Sequence, residues 1–268
     1  MTVSETPLLA AHGLTIRFGG LVALNAFDLT VREGELFALV GPNGAGKTTL
    51  LNCVSGFARP NEGTLTFAGT DLLALGRHRR AALGIARTFQ NVQLFASMTT
   101  LENLVAAKHA HLRASFAASL LPFGPAVRED RRARDHAREI LALLGIERYA
   151  DMVAGTLPFG VQKLIGVARA LVVKPRLILL DEPAAGLPHA EVERFATSLR
   201  RWRDELGATF LLIEHNIPLV QRVADRVCVL DYGRKLAEGP PSQAFSDPAV
   251  LEAYLGRGGR EEVAHAQG

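Results

Sequence analysis

At 268 residues, 48% of them hydrophobic and 21% charged, the chain is long enough for one large globular domain or a domain with an inserted lobe. The formal net charge is only +3, and the basic residues are interleaved with acids, so nucleic acid is not the expected partner. Two cysteines, Cys53 and Cys228, sit in apolar segments without metal-ligand spacing, which excludes a disulfide framework and points to packing.

The first five residues, Met-Thr-Val-Ser-Glu, lack a basic segment followed by an apolar run, so no secretory signal and a cytoplasmic location are expected. β-Formers bounded by turns around Leu14 to Phe18, Leu36 to Val40 and Thr64 to Phe67 predict a sheet-rich opening. Directly after the second of these strands comes Gly41-Pro42-Asn43-Gly44-Ala45-Gly46-Lys47-Thr48, a full GxxxxGK[ST] pattern, followed by Thr49 and a helical stripe of Leu50, Leu51 and Val54 up to Gly56. Strand, glycine-rich turn and helix in that order form a phosphate loop. Backbone N–H groups turn inward around phosphate oxygens, the helix N-terminus adds a favourable dipole, Lys47 reaches the β and γ phosphates, and Thr48 can ligate Mg²⁺.

From residue 98 to 150 the pattern becomes helical. Asp130 to Leu144 places Ala133, Ala137, Ile140, Leu141 and Leu144 on one face, pairs Asp130 with Arg134 and stops at Gly145. The uncharged stretch 114–127 is too short for a membrane span and contains Pro122, Gly124 and Pro125. Next, Val161, Leu164, Ile165, Ala168, Leu171 and Val172 form an apolar stripe ending before Pro175, and Leu177 to Leu180 is a wholly apolar strand ending in Asp181-Glu182. In a phosphate-loop protein the first acid at that position helps hold hydrated magnesium. The second is placed to orient or deprotonate a water attacking the γ-phosphate, which predicts hydrolysis rather than binding alone. Val192, Phe195, Leu199, Trp202 and Leu206 line another helix closed by Gly207, and the strands Thr209 to Ile213 and Arg226 to Leu230 follow. Asp247 and Pro248 read as the N-cap and first residue of a last helix stopped by Gly256, with 257–268 a loose tail. Strands alternating with helices predict an α/β fold with a mainly parallel sheet.

These motifs resemble the ATP-binding subunits of ABC transporters over nearly the whole chain. The resemblance implies a P-loop NTPase core (RecA-like, about 1–92 and 155–240), an N-terminal antiparallel β subdomain, a helical insertion over about 93–154 leading into a signature helix at 160–173, and a C-terminal helix at 248–255. It implies ATP and Mg²⁺ as ligands, the phosphates being cradled by Gly41, Pro42, Asn43, Gly44, Ala45, Gly46, Lys47, Thr48 and Thr49. By the same resemblance Phe18 stacks on adenine, with core packing the competing role. Gln90, after Phe89, touches Mg²⁺ and the attacking water, and His215 in Ile213-Glu214-His215 contacts the γ-phosphate and helps position Glu182.

The family signature LSGGQ is matched by Leu157-Pro158-Phe159-Gly160-Val161, with Pro158 in place of Ser and Val161 in place of Gln. Gly160 keeps the helix N-terminus able to donate to a phosphate held by an opposite subunit. Pro188 stands where the family usually has Asp. The segments 86–91, 181–187, 213–215 and 253–256 are similar to the branch that takes up branched-chain or hydrophobic amino acids. That branch implies a second, different ATPase subunit, two transmembrane permease subunits, an external (periplasmic or extracellular) solute-binding protein acting indirectly, and a peripheral location on the cytoplasmic face of the inner membrane. Urea transport, lipid or lipopolysaccharide extraction, and a soluble non-transport ABC ATPase are the alternatives.

Overall fold

A computed structural model describes residues 7–88, 93–111 and 125–254. In chain order the elements are β1 (Pro7–Phe18), β2 (Leu21–Arg32), β3 (Leu36–Val40), α1 (Lys47–Ser55), β4 (Glu62–Phe67), β5 (Thr70–Asp71), α2 (Arg77–Ala82) and β6 (Ile85–Arg87). They continue with α3 (Thr100–His111), α4 (Pro125–Leu143), α5 (Phe159–Leu171), β7 (Leu177–Asp181), α6 (His189–Leu206) and β8 (Thr209–Ile213). The chain then runs through α7 (Ile217–Val223), β9 (Arg226–Asp231), β10 (Arg234–Gly239) and α8 (Pro241–Ala244), and a further helix covers 248–254. The chain divides into two compact units, one of residues 1–80 and 209–268, the other of residues 81–208.

The first unit holds an antiparallel sheet in the order β2-β1-β4-β5, which meets the expectation of a sheet-rich opening. It also holds β3 lying parallel between β8 and β9, with β10 antiparallel on β9. Every residue of β3 and of β8 is buried, as parallel strands covered on both faces require, and this is why both, apart from Thr209 at the start of β8, read as apolar runs. Gly56, in the left-handed region at φ 80°, ends α1, and its N–H turns back to the carbonyls of Asn52 and Cys53. Arg80 of α2 donates to the Cys53 and Val54 carbonyls, filling the acceptors that the end of α1 leaves open. The N-cap expected at Asp247 is present: its carboxylate accepts from the N–H of Ala249 at 2.8 Å.

In the second unit β6 and β7 are parallel, with Ile85 paired to Leu177 and Arg87 to Leu179. The expected face of α4 is buried, and Arg134 donates to Asp130 at 2.8 Å, holding that carboxyl below its ordinary range. Trp202 of α6 is fully buried, edge-on to Phe195 at 5.7 Å between ring centroids, and its indole N–H donates to the Leu143 carbonyl at 3.2 Å. Leu206, placed on the α6 stripe by its spacing, is exposed at the last turn before the Gly207 cap.

The stripe of α5 differs from its sequence reading. The buried side carries Lys163, Ile165, Val167, Ala168, Ala170 and Leu171, whereas Val161 and Leu164 are only half-buried. The face is rotated because a lysine, which hydropathy assigns to solvent, is turned inward.

Gln90 with its neighbours Phe89 and Asn91, residues 114–124 of the uncharged stretch, and the Gly256 stop with the tail 257–268 lie outside the described residues. Among the described residues no helix is long and apolar enough to cross a membrane.

Candidate functional site

The phosphate loop of the first unit is a backbone cradle whose glycines are compelled by their surroundings. At Gly41, φ is 146° and an added Cβ would lie 2.0 Å from the Leu230 carbonyl oxygen. At Gly46, φ is 109° and a Cβ would meet the Ala23 carbonyl at 2.3 Å. Both walls are backbone, which cannot give way, so any side chain at either position displaces the loop. Pro42 is half-buried, Asn43 and Gly44 are exposed, and Ala45 is buried. From behind, the turn between β9 and β10 clasps the loop: the Gly233 N–H donates to the Ala45 carbonyl at 2.9 Å, and the Asn25 N–H donates to the Gly233 carbonyl at 2.9 Å.

The helix α1 starts from Gly46 with no side-chain cap and no acid in its first turn, which leaves its positive end suited to an anion. Lys47 is buried, and its ammonium donates to the Gly41 carbonyl at 2.6 Å and the Pro42 carbonyl at 2.9 Å. The cation is thus already gathered into the loop, on neutral acceptors that phosphate oxygens outbid by charge. Thr48 is exposed and Thr49 half-buried at the head of the helix.

Two other predicted residues of this unit stand at strand ends. Phe18 closes β1 and is 54% exposed, which removes the core-packing alternative. His215 follows β8 and the buried Glu214, is itself exposed, and donates its backbone N–H to the Glu214 carboxylate at 3.2 Å. The next residue, Asn216, caps α7 by accepting from the Leu219 N–H at 3.0 Å, so the chain leaves the strand through a fixed turn.

In the second unit Asp181 ends β7, with its side chain 6% exposed and its Oδ2 2.8 Å from Nη2 of Arg87, a side chain 8% exposed at the end of β6. A carboxylate so deeply buried is tolerable because it is paired with a guanidinium. Glu182, the next residue, has φ +47°, a left-handed conformation that costs a non-glycine residue roughly 1–3 kcal/mol and persists only where neighbouring contacts enforce it. Those contacts come from α5. The ammonium of Lys163 donates to the carbonyls of Glu182 at 3.4 Å, Pro183 at 3.1 Å and Ala185.

The signature stretch is in the same unit. Pro158 is the N-cap of α5 with no side-chain cap bond, and the helix begins at Phe159, one residue before the expected start, because Pro is compatible with an extended N-cap conformation. Gly160 therefore lies in the first turn, where a Cβ would sit 2.3 Å from a carboxylate oxygen of Glu191. Pro188 likewise opens α6, accepting from the Glu191 N–H at 2.8 Å.

The fold thus groups residues 41–49 in one unit, which also holds Phe18 and His215. Asp181, Glu182 and Gly160 fall in the other. Sequence reading passed over Arg87 and Lys163. The available signal for Lys163 was a lysine flanked at helical spacing by Phe159 and Val167; Arg87 gave none, because an arginine closing a three-residue strand looks like any solvated charge.

A family model described as ABC transporter matches residues 24–185, and one described as branched-chain amino acid ATP-binding cassette transporter matches residues 234–260. Among curated proteins, the high-affinity branched-chain amino acid transport ATP-binding protein BraF of Pseudomonas aeruginosa is 42% identical over 250 residues, spanning 93% of this chain and 98% of BraF. The corresponding protein LivG of Escherichia coli is 40% identical, again over 93% of this chain and 98% of its own length. Among solved structures, the ADP conformation of MJ1267, an ATP-binding cassette of an ABC transporter, aligns with a TM-score of 0.81 at 31% identity, covering 94% of this chain and all of that one (100%). A nucleotide-free ATP-binding cassette from an ABC transporter aligns at 0.80 and 30% identity, covering 93% and 99%. Similarity sustained across both units bears out the family resemblance read from the phosphate loop and the acidic strand end: the chain belongs to the ABC transporter family, as one of its ATP-hydrolysing subunits.

Proposed function

We propose that the chain is the motor subunit of an importer for branched-chain or other hydrophobic amino acids. The observation that carries this reading is the 42% identity to BraF over 98% of that protein, joined by the branch-specific match at residues 234–260.

The residue roles follow from the chemistry of each unit. In the first, the N–H groups of the loop from Gly41 to Gly46 and the α1 N-terminus bind the ATP phosphates, and Lys47 exchanges its loop carbonyls for phosphate oxygens. Thr49 extends this cradle, Phe18 offers its exposed ring to adenine, and His215 contacts the γ-phosphate. In the second, Glu182 orients or deprotonates the attacking water. Gln90 is assigned to the same water by family resemblance, and the first turn of α5 at Gly160 donates to a nucleotide held by a partner ATPase.

The donors available for Mg²⁺ are hard oxygens, the Thr48 hydroxyl and the Asp181 carboxylate, with Gln90 by resemblance. No group of three or more His, Cys, Asp or Glu gathers among the described residues. Such a sparse oxygen set fits an ion that keeps its waters and shares phosphate ligands. When bound, Mg²⁺ supplies positive charge against the phosphate oxygens.

The partner ATPase is a different chain in this proposal, because Pro158 removes the signature hydroxyl and Pro188 replaces the usual acid after the hydrolytic loop. Two permease subunits hold the pair at the cytoplasmic face of the membrane, and an external binding protein delivers the amino acid. The test is a gentle affinity purification from native membranes, combined with uptake of labelled leucine in cells lacking the chain. The expected result is a second ATPase and two hydrophobic proteins in the eluate, with uptake restored by the parent. A homodimer in the eluate rejects the unequal pair, and undiminished leucine uptake rejects the cargo.

A further inference from the structure

Lys163 occupies the buried side of α5, a position where an ammonium is costly unless all its protons are accepted. Here three backbone carbonyls converge on it, those of Glu182, Pro183 and Ala185, and the Phe159 ring lies 5.3 Å away. Carbonyls of residues so close in sequence point at one centre only if the chain turns sharply, and the turn is made at Glu182, whose φ is +47°. Of those three residues Pro183 is buried and Glu182 and Ala185 are half-buried, and Lys163 itself is buried, so the ammonium rather than water is the partner they share. Lysine and turn therefore require each other. The direction in which the Glu182 side chain leaves the backbone depends on that turn.

We propose that Lys163 is a positioning residue for ATP hydrolysis: its ammonium holds the loop from Glu182 to Ala185 in the conformation that aims the Glu182 carboxylate. Because Lys163 is one turn into α5, displacement of the signature helix is passed directly to that carboxylate. The helix that faces a partner's nucleotide and the acid that serves this chain's own nucleotide move as one piece. The proposal rests on the reading of Glu182 as the group acting on water.

The experiment uses the full chain with the subunits that co-purify with it. Parent, Lys163→Met, Lys163→Arg, Glu182→Gln and the Lys163→Met/Glu182→Gln double variant are compared by phosphate release across ATP concentrations, by binding of a fluorescent ATP analogue, and by thermal unfolding. Met keeps the length and packing of the side chain and removes only its charge and donors. The expected result is a loss in kcat of about 10-fold or more for Lys163→Met, with KM and analogue affinity within about twofold of the parent. Lys163→Arg recovers part of kcat, and the double variant is no slower than Glu182→Gln alone. Parental kcat in Lys163→Met, or a loss in which KM and unfolding temperature move together and Arg recovers nothing, overturns the proposal. Should the Met variant not fold, Lys163→Arg carries the test: an intermediate kcat at unchanged KM supports the positioning role, and parental kcat removes it. Unimpaired turnover in Glu182→Gln instead removes the reading of Glu182 itself, and the proposal with it.

Discussion

A carbonyl oxygen 2.3 Å from where a Cβ would stand decides what residue 46 can be. Gly46→Ala must also adopt φ near 109°, outside the range of L side chains, so the loop shifts rather than the wall. Affinity for a fluorescent ATP analogue is expected to fall at least about tenfold while the folded state survives, the strain being roughly 1–3 kcal/mol. At Glu182 the expectation is the reverse: Glu182→Gln keeps nucleotide affinity, and phosphate release slows by about 10² to 10⁴, the usual contribution of a general base. Phosphate release at the parental rate would show that another group serves the water. These positions were legible from sequence because their conformations are local: glycines with no side-chain alternative, and adjacent acids at the end of an apolar run. The Arg87–Asp181 pair joins residues 94 apart, and nothing in either segment alone announces it.

At the scale of elements, legibility followed burial. Apart from Asp181 at the end of β7 and Thr209 at the start of β8, strands β3, β7 and β8 are apolar because both faces are covered. β2 escaped notice although its core residues Leu24, Phe27, Leu29 and Val31 are buried, because the alternation changes phase between 24 and 27. Ala26, at φ 47°, makes that change, and its N–H is taken by the Thr15 hydroxyl at 3.0 Å. β10, reading Arg-Lys-Leu-Ala-Glu-Gly, is paired among the described residues with β9 alone and has no apolar pattern to detect. Helix α6 invites a direct test of its packing. Trp202→Phe loses the bond to Leu143 and some ring area, whereas Trp202→Ala empties the site; chemical denaturation should show a loss of about 3–5 kcal/mol for Ala and clearly less for Phe.

For the molecule as a whole, stability should depend on alkaline pH in a defined direction. Burial pushes the Cys53 thiol up to about 11 and the Cys228 thiol up to about 12, and in the folded protein both stay neutral. A group whose folded pKa lies above its unfolded one contributes stability in full below the unfolded value and loses it as pH rises through the folded value. The denaturation midpoint should therefore hold steady up to about pH 8 to 9, the range of an ordinary thiol. It should then fall steadily as pH rises towards 11, and Cys53→Ser should not reproduce the parent's profile. A flat profile to pH 11 would mean the thiols are not sheltered.

The clasp at Gly233 sets where this chain can be shortened or extended. The residues that brace the nucleotide loop from behind come about 190 positions later, immediately before the segment that marks the branch. A truncation upstream of Gly233 would preserve the whole GxxxxGK[ST] motif in the primary structure and still remove its support, whereas a tag joined beyond residue 254 leaves the brace untouched. A fragment carrying the motif is therefore not a minimal nucleotide binder.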